Sequence, residues 1–198
     1  VTQRAVAYMK GLQENGIIAN AKHFPGHGDT ETDSHYDLPV IKHAEKRIWE
    51  VDLFPYQTLF RENLMSVMVA HLNVPSLDNG ANIPTSLSKP VVTDLLQNRM
   101  NFQGLIFTDA LNMKGVANFS RPGEVDLKAL LAGNDVLLYS QDVTKAKALI
   151  KDAVAQGMIS ENEINRRVKK ILKAKYWAGL NEYKPLDTYK IADRITTE

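Results

Sequence analysis

The sequence predicts an α/β fold built around a small parallel sheet. Three observations carry that prediction. Four short runs, Gly16–Lys22, Met65–His71, Gly104–Thr108 and Asp135–Tyr139, are apolar on both faces and rich in Val, Ile, Leu or Met, as strands covered on both sides are. Amphipathic stretches with recognisable ends alternate with these runs, and such alternation argues for right-handed crossovers between parallel strands. Four β-α units are too few for a closed (β/α)8 barrel, which takes about 250 residues. The pattern therefore fits either an open sheet or the second half of a barrel.

The elements follow in order. Residues 4–14 are expected to form a helix that ends at Asn15-Gly16. Pro55 suits the first turn of a helix running to about Asn63. Ser88 and Pro90 open another, to Met100, as N-cap and early-turn residues. Residues 124–132 stop at Gly133, and residues 143–156 stop at Gly157. The last helix opens with a capping box, Ser160 to Glu163. Its Ile164, Val168, Ile171, Leu172 and Ala178 fall on one stripe, expected to face the core, and Arg166, Arg167, Lys169, Lys170 and Lys173 form a basic face expected to be solvated. The polar segment from Asn181 to Glu198 reads as a tail or linker.

Composition narrows the function classes. The chain has 198 residues, is 44% hydrophobic and 24% charged, and carries a net charge of +1. No global field favours nucleic acid or an anionic membrane. The absence of cysteine excludes disulfides, thiolate metal sites and cysteine nucleophiles. No apolar run reaches the roughly 18 residues that span a bilayer. The chain begins at Val1 rather than Met, so a targeting segment is not judged from it, and the compartment stays open between a reducing and an oxidising one.

The chemistry concentrates in residues 22–39, which hold three histidines, three aspartates and two turn glycines directly after the first strand. Polar loops at strand ends are where α/β enzymes work. In an extended segment, Asp33 and His35 point to the same side. Asp33 can then fix the tautomer of His35 and raise its basicity, which suits a general acid–base titrating near about pH 6.5. A metal site built from His23, His27 and His35 with Asp29 or Asp33 is the competitor. Phe24-Pro25-Gly26 forces a turn between the first two histidines, which removes a helical His pair. Asp109 ends the third strand and reads either as an N-cap for the following turn or as a nucleophile or electrostatic stabiliser. Lys22 ends the first strand and can reach a ligand hydroxyl or carboxylate. His71 ends the second strand and stands between a structural hydrogen bond and a site contact. His43 reads as exposed.

Lys22-His23-Phe24-Pro25-Gly26-His27-Gly28, followed by Thr30, Asp33-Ser34-His35 and Leu38-Pro39, resembles the signature of glycoside hydrolase family three, in particular its bacterial β-N-acetylglucosaminidase branch. Ala70-His71 and Phe107-Thr108-Asp109-Ala110-Leu111 with Met113 follow in the same order, and the resemblance extends from about residue 1 to about residue 180. It implies the second half of a TIM (β/α)8 barrel, four parallel β-α units plus flanking helices, over residues 1–180, with 181–198 as a tail. It implies a retaining glycosidase that removes terminal β-linked N-acetylglucosamine, with peptidoglycan-derived GlcNAc–anhydroMurNAc saccharides or muropeptides as substrates. Asp109 is then the nucleophile, His35 the acid/base oriented by Asp33, and Lys22 and His23 bind sugar hydroxyls, with His71 beside them. No metal or organic cofactor is implied, and no nucleic acid or membrane-spanning partner.

The sequence departs from the family in having Ala110 where a second Asp is common, and in lacking the upstream Asp and Arg that grip the sugar. The expectation is therefore a fragment, completed by a missing N-terminal half-barrel or self-associating through its open sheet edges. Glycosidases usually pair two carboxylates. An imidazole acid/base is neutral after its first proton transfer and does not repel an anion, so inorganic phosphate is expected to compete with water. The alternatives are another sugar specificity, a phosphorylase, or a non-catalytic half-barrel that binds saccharide or protein.

Overall fold

Four strands form one parallel sheet in the order in which the chain visits them: β1 Asn20–Phe24, β2 Ser66–Val69, β3 Leu105–Ala110 and β4 Val136–Leu138. The structure is a computed structural model and describes residues 1–30, 38–78, 82–185, 188–189 and 191–192. Helix α1, Thr2–Gln13, precedes the sheet. Between β1 and β2 come the short α2, Glu45–Arg47, a π-wound turn Ile48–Asp52, and α3, Phe54–Arg61. A π-wound helix, Pro90–Arg99, joins β2 to β3. Helices α4, Lys114–Ala117, and α5, Glu124–Ala132, join β3 to β4, and α6, Val143–Ala155, and α7, Glu161–Trp177, follow.

The expected signals act where the sequence puts them, with shifted boundaries. The β1 strand starts four residues after Gly16 because α1 ends in a Schellman-type wrap. There the Gly16 N–H donates to the Gln13 carbonyl and the Ile17 N–H to the Leu12 carbonyl, so Gly16 and Ile17 belong to the helix end. Ser88 Oγ accepts the Val91 N–H, Asp142 caps α6 through the Lys145 N–H, and Ser160 caps α7 through the Glu163 N–H. Pro55 lies in the first turn of α3.

The main core lies under β1, β2 and β3, where Phe24, Val67, Val69 and Ile106 pack against Leu53, Leu59, Leu95 and Leu96. Two smaller clusters, around Leu111, Val116 and Val125 and around Leu130, Ala153 and Ile159, seat α5 and α6. The β2–β3 pairing runs without a break from Ser66 opposite Leu105 to Val69 opposite Thr108. Both outer pairings slip near their C-terminal ends, β1–β2 between Ala21 and Phe24 and β3–β4 between Phe107 and Ala110. Such irregularities bend a strand and re-aim its side chains.

Helix α7 follows the expected assignment of its faces only in part: Ile164 packs against the Leu130 cluster and Arg166, Lys169 and Lys173 are exposed, but four residues depart from it. Val168 and Leu172 are exposed, whereas Arg167 is buried. Arg167 donates to the Leu130 and Asn134 carbonyls, and Lys170 donates to Asp135. The helix crosses the end of α5 and the approach to β4, where carbonyls left without helical partners need donors more than the surface needs apolar cover. Glu163 binds Arg166 and Arg167 on the same helix, and the Arg166 guanidinium leads in pulling its carboxyl down to about 2. Among the described residues, no helix is long and apolar enough to cross a membrane.

Close approach at Gly104 controls how tightly β3 enters beside β2. A Cβ there would sit 2.4 Å from the Met65 carbonyl oxygen, and Leu105 N–H donates to that same carbonyl. Backbone cannot yield as a flexible side chain does, so Gly104→Ala is expected to cost about 2–4 kcal/mol of stability, read as a lower midpoint in urea denaturation.

Candidate active site

The two register slips bracket Lys22–His23 and Thr108–Asp109. They turn the ends of β1 and β3 so that the His23 Nε2 lies 3.6 Å from the Asp109 Oδ2, with both side chains partly open to solvent. Asp109 Oδ1 also accepts the Ala110 N–H at 2.8 Å. On the β4 side, Asp109 lines an open cavity of about 370 Å3 with Ala110, Asn112, Met113, Lys114 and Tyr139. A larger cavity, about 580 Å3, lies at the opposite, N-terminal ends of the strands, among Phe60, Phe102, Gly104 and Trp177. It holds none of the strand-end histidines or Asp109, and its size reflects the gap between the sheet and α7.

His71 is fully buried directly behind Asp109. Its Nε2 donates to the Ala110 carbonyl at 3.0 Å, which leaves Nδ1 to accept the Ser86 hydroxyl at 2.7 Å. Both ring nitrogens are therefore used, and His71 acts on the site through the β3 end. Burial holds its pKa below the ordinary imidazole value, against the opposing pull of the Ala110 carbonyl and the Asp109 carboxylate. Lys22 is exposed and lines a separate cavity of about 360 Å3 along β1, α1 and α3, away from the Asp109 cavity. The structure thus brings His23, His71 and Asp109 together and places Lys22 apart from them. Asp33 and His35 lie outside the described residues.

The described start of the loop after β1, residues 25–30, is tied down by charged groups at residues 43–52. His43 Nε2 meets Asp29 Oδ2, and Arg47 reaches both Asp29, at 3.4 Å, and Asp52, at 2.6 Å. Asp52 also packs so closely under Gly26 that a Cβ on that residue would come 2.8 Å from the Asp52 Cβ. His27 meets the Thr30 hydroxyl at 2.9 Å and stacks edge-on against His23 with ring centroids 5.9 Å apart. Asp29, weighed as a metal ligand, is here an ion-pair partner, and His43 is its anchor. No periodicity marks Arg47 and Asp52, because the groups they hold, Asp29 and Gly26, lie on a loop well upstream in the chain. Among the described residues, no group of three or more His, Asp or Glu side chains converges as a metal site.

Two outcomes follow from this geometry. A depressed His71 pKa means that the unfolded chain binds the proton more readily. The stability it contributes is full above the unfolded value of about 6.5 and is lost as pH falls. The melting midpoint is expected to drop from about pH 7.5 to about pH 5.5. His71→Gln is expected to be less stable at the upper pH by about 1–3 kcal/mol and to show a flatter slope across the window. Arg47→Gln is expected to speed hydrogen exchange at residues 26–30 several-fold, while global stability changes by about 1–2 kcal/mol, since its pair with Asp29 is open to solvent and its pair with Asp52 is part-buried.

A family model described as the glycosyl hydrolase family 3 N terminal domain matches residues 1–174. A β-hexosaminidase of Haemophilus influenzae is 38% identical over 139 residues, which is 70% of this chain and 39% of that protein. The structure of a family 3 β-N-acetylglucosaminidase from Paenibacillus sp. superposes with a TM-score of 0.84 at 33% identity, covering 92% of this chain and 35% of the other. A β-glucoside phosphorylase, BglX, superposes with a TM-score of 0.89 at 26% identity, covering 100% of this chain and 37% of the other. The chain spans less than half the length of each of these relatives. The matched region takes in both strand ends that carry the site, and the chain belongs to glycosyl hydrolase family 3.

Proposed function

We propose that this chain carries the nucleophile side of a retaining β-N-acetylglucosaminidase. The observation that carries the reading is Asp109, set at the end of a buried parallel strand with an imidazole 3.6 Å from its carboxylate, in a family 3 chain. The curated relatives named β-hexosaminidase point to the same sugar class. Asp109 attacks the anomeric carbon as the bond to the leaving oxygen breaks, and its charge offsets the cation that develops there. His35, oriented by Asp33, gives its proton to the leaving oxygen. It then takes one from water, which attacks the same carbon and releases Asp109. Two inversions at one carbon give net retention. His23, beside Asp109, is assigned to a sugar hydroxyl, and Lys22, whose side chain lines the cavity along β1, α1 and α3, reaches the sugar only by swinging toward the Asp109 side. His71 supports the carboxylate from behind. The substrates proposed are peptidoglycan-derived saccharides with a terminal β-linked N-acetylglucosamine.

The chain is further proposed to be the second half of a TIM barrel over residues 1–180, with 181–198 as a tail. The strand order runs β1-β2-β3-β4 without the reversal that a doubly wound sheet would show, which supports this reading. β1 and β4 each pair on one side only among the described residues. Their other edges are assigned to a missing N-terminal half-barrel or to a second copy.

Phosphorolysis is the second reading, favoured by the likeness to the β-glucoside phosphorylase and by the neutral imidazole left after the first step. One experiment serves both. The full-length protein is incubated with a fluorinated N-acetyl-β-glucosaminide, and the labelled peptide is mapped by mass spectrometry. A sugar on Asp109, and loss of turnover by about a thousandfold or more in Asp109→Ala, are expected. Label on another residue, or full activity in Asp109→Ala, overturns the assignment. Sugar phosphate formed when phosphate is present selects phosphorolysis, and free sugar alone selects hydrolysis.

A further inference from the structure

The Asp109 carboxylate has two flanks. One faces β1, where His23 lies 3.6 Å away. The other opens toward β4, into the cavity that Tyr139 lines together with Asn112 and Lys114. Sheet order puts β4 on the opposite side of β3 from β1 and β2.

Tyr139 follows β4 directly, is 69% exposed, and has φ 51. A bulky residue in the left-handed region is uncommon and persists only where its surroundings impose it. Those surroundings are visible on both sides. Leu138 N–H donates to Thr108 Oγ1 at 3.0 Å, and the Leu138 carbonyl accepts the Leu111 N–H at 2.9 Å. Three residues on, Asp142 is held as the cap of α6. Fixed before and after, the chain turns out of the line of the strand at Tyr139. The ring adds nothing to the core, since it stands in solvent beside the carboxylate. An exposed aromatic face with a few polar groups around it is the common make-up of a carbohydrate-sized binding cleft, because the ring can cover the C–H face of a sugar while neighbours meet its hydroxyls.

We propose that Tyr139 is a specificity-determining residue, the platform on which the saccharide unit on the leaving-group side of Asp109 stacks. The inference rests on the glycosidase reading above. Tyr139 and Asp109 line one cavity, so a saccharide whose anomeric carbon sits at Asp109 can lay its next ring over the exposed phenol face. The enzyme then prefers aglycones that are themselves sugar rings to aglycones too small to cover the phenol ring.

The test compares two substrates of the full-length protein: a β-linked N-acetylglucosamine disaccharide and methyl N-acetyl-β-glucosaminide. Tyr139→Asn removes the ring but keeps a residue that tolerates positive φ, and Tyr139→Phe keeps the ring. For Tyr139→Asn, kcat/KM on the disaccharide is expected to fall about tenfold, mainly through KM, with the methyl glycoside within about twofold of wild type. Tyr139→Phe is expected to restore the disaccharide. Equal losses on both substrates, or no loss on either, overturn the platform while leaving the glycosidase reading intact. Folded wild-type protein that turns over neither substrate overturns both.

Discussion

The unbroken pairing of β2 with β3 is the constraint from which the rest of the molecule is hung. Ser66, Val67 and Val69 on one strand and Leu105, Ile106 and Thr108 on the other are buried, so neither strand can slide by one residue without exchanging the side chains of its two packed faces. The close approach of Gly104 to Met65 locks the entry to the pair. With the centre held, departures from ideal register move to the outer pairings. They fall next to His23 and Asp109, where a strand has to bend if a side chain is to leave the plane of the sheet and face its neighbour.

Around that frame the polar groups separate into two kinds. His71 and Ser86 are buried and satisfied, and they brace the β3 carbonyl beside Asp109. A neutral imidazole serves there because a buried charge without a close, geometrically good partner would be costly. His23, Asp109 and Tyr139 remain accessible and face the solvent-filled mouth of the sheet. The described part of the loop after β1 is held by Asp29, His43, Arg47 and Asp52 in addition to the buried Pro25 and Ile41. Such ties are individually weak in water.

Helix α7 shows the same economy of polar contacts at the other end of the molecule. Asp135 accepts both the Ile106 N–H and the Lys170 ammonium, so the first residue before β4 is joined at once to β3 and to α7. Arg167 completes the carbonyls at the end of α5. An arginine with a long apolar stem can be buried in this way because its planar guanidinium meets several acceptors together.

The sequence by itself determined the elements and their order. The apolar runs, the caps at Ser88 and Ser160, Pro55 in its helix and the turn at Gly16 each act through neighbours a few residues away, and local chemistry is written in local residues. It also marked Asp109, His23 and His71 as strand-end residues, and the family signature from Lys22 to Leu38-Pro39 is contiguous and so readable directly. Only the tertiary structure decided what those residues meet. The slips that aim His23 at Asp109, the burial of His71 behind Ala110, the loop anchor of Arg47 on Asp29, the inward turn of Arg167 and Lys170 and the outward ring of Tyr139 all depend on partners remote in the chain. No periodicity of the chain carries them, because they arise from which carbonyls, carboxylates and gaps are left over once the sheet has closed around its central pair.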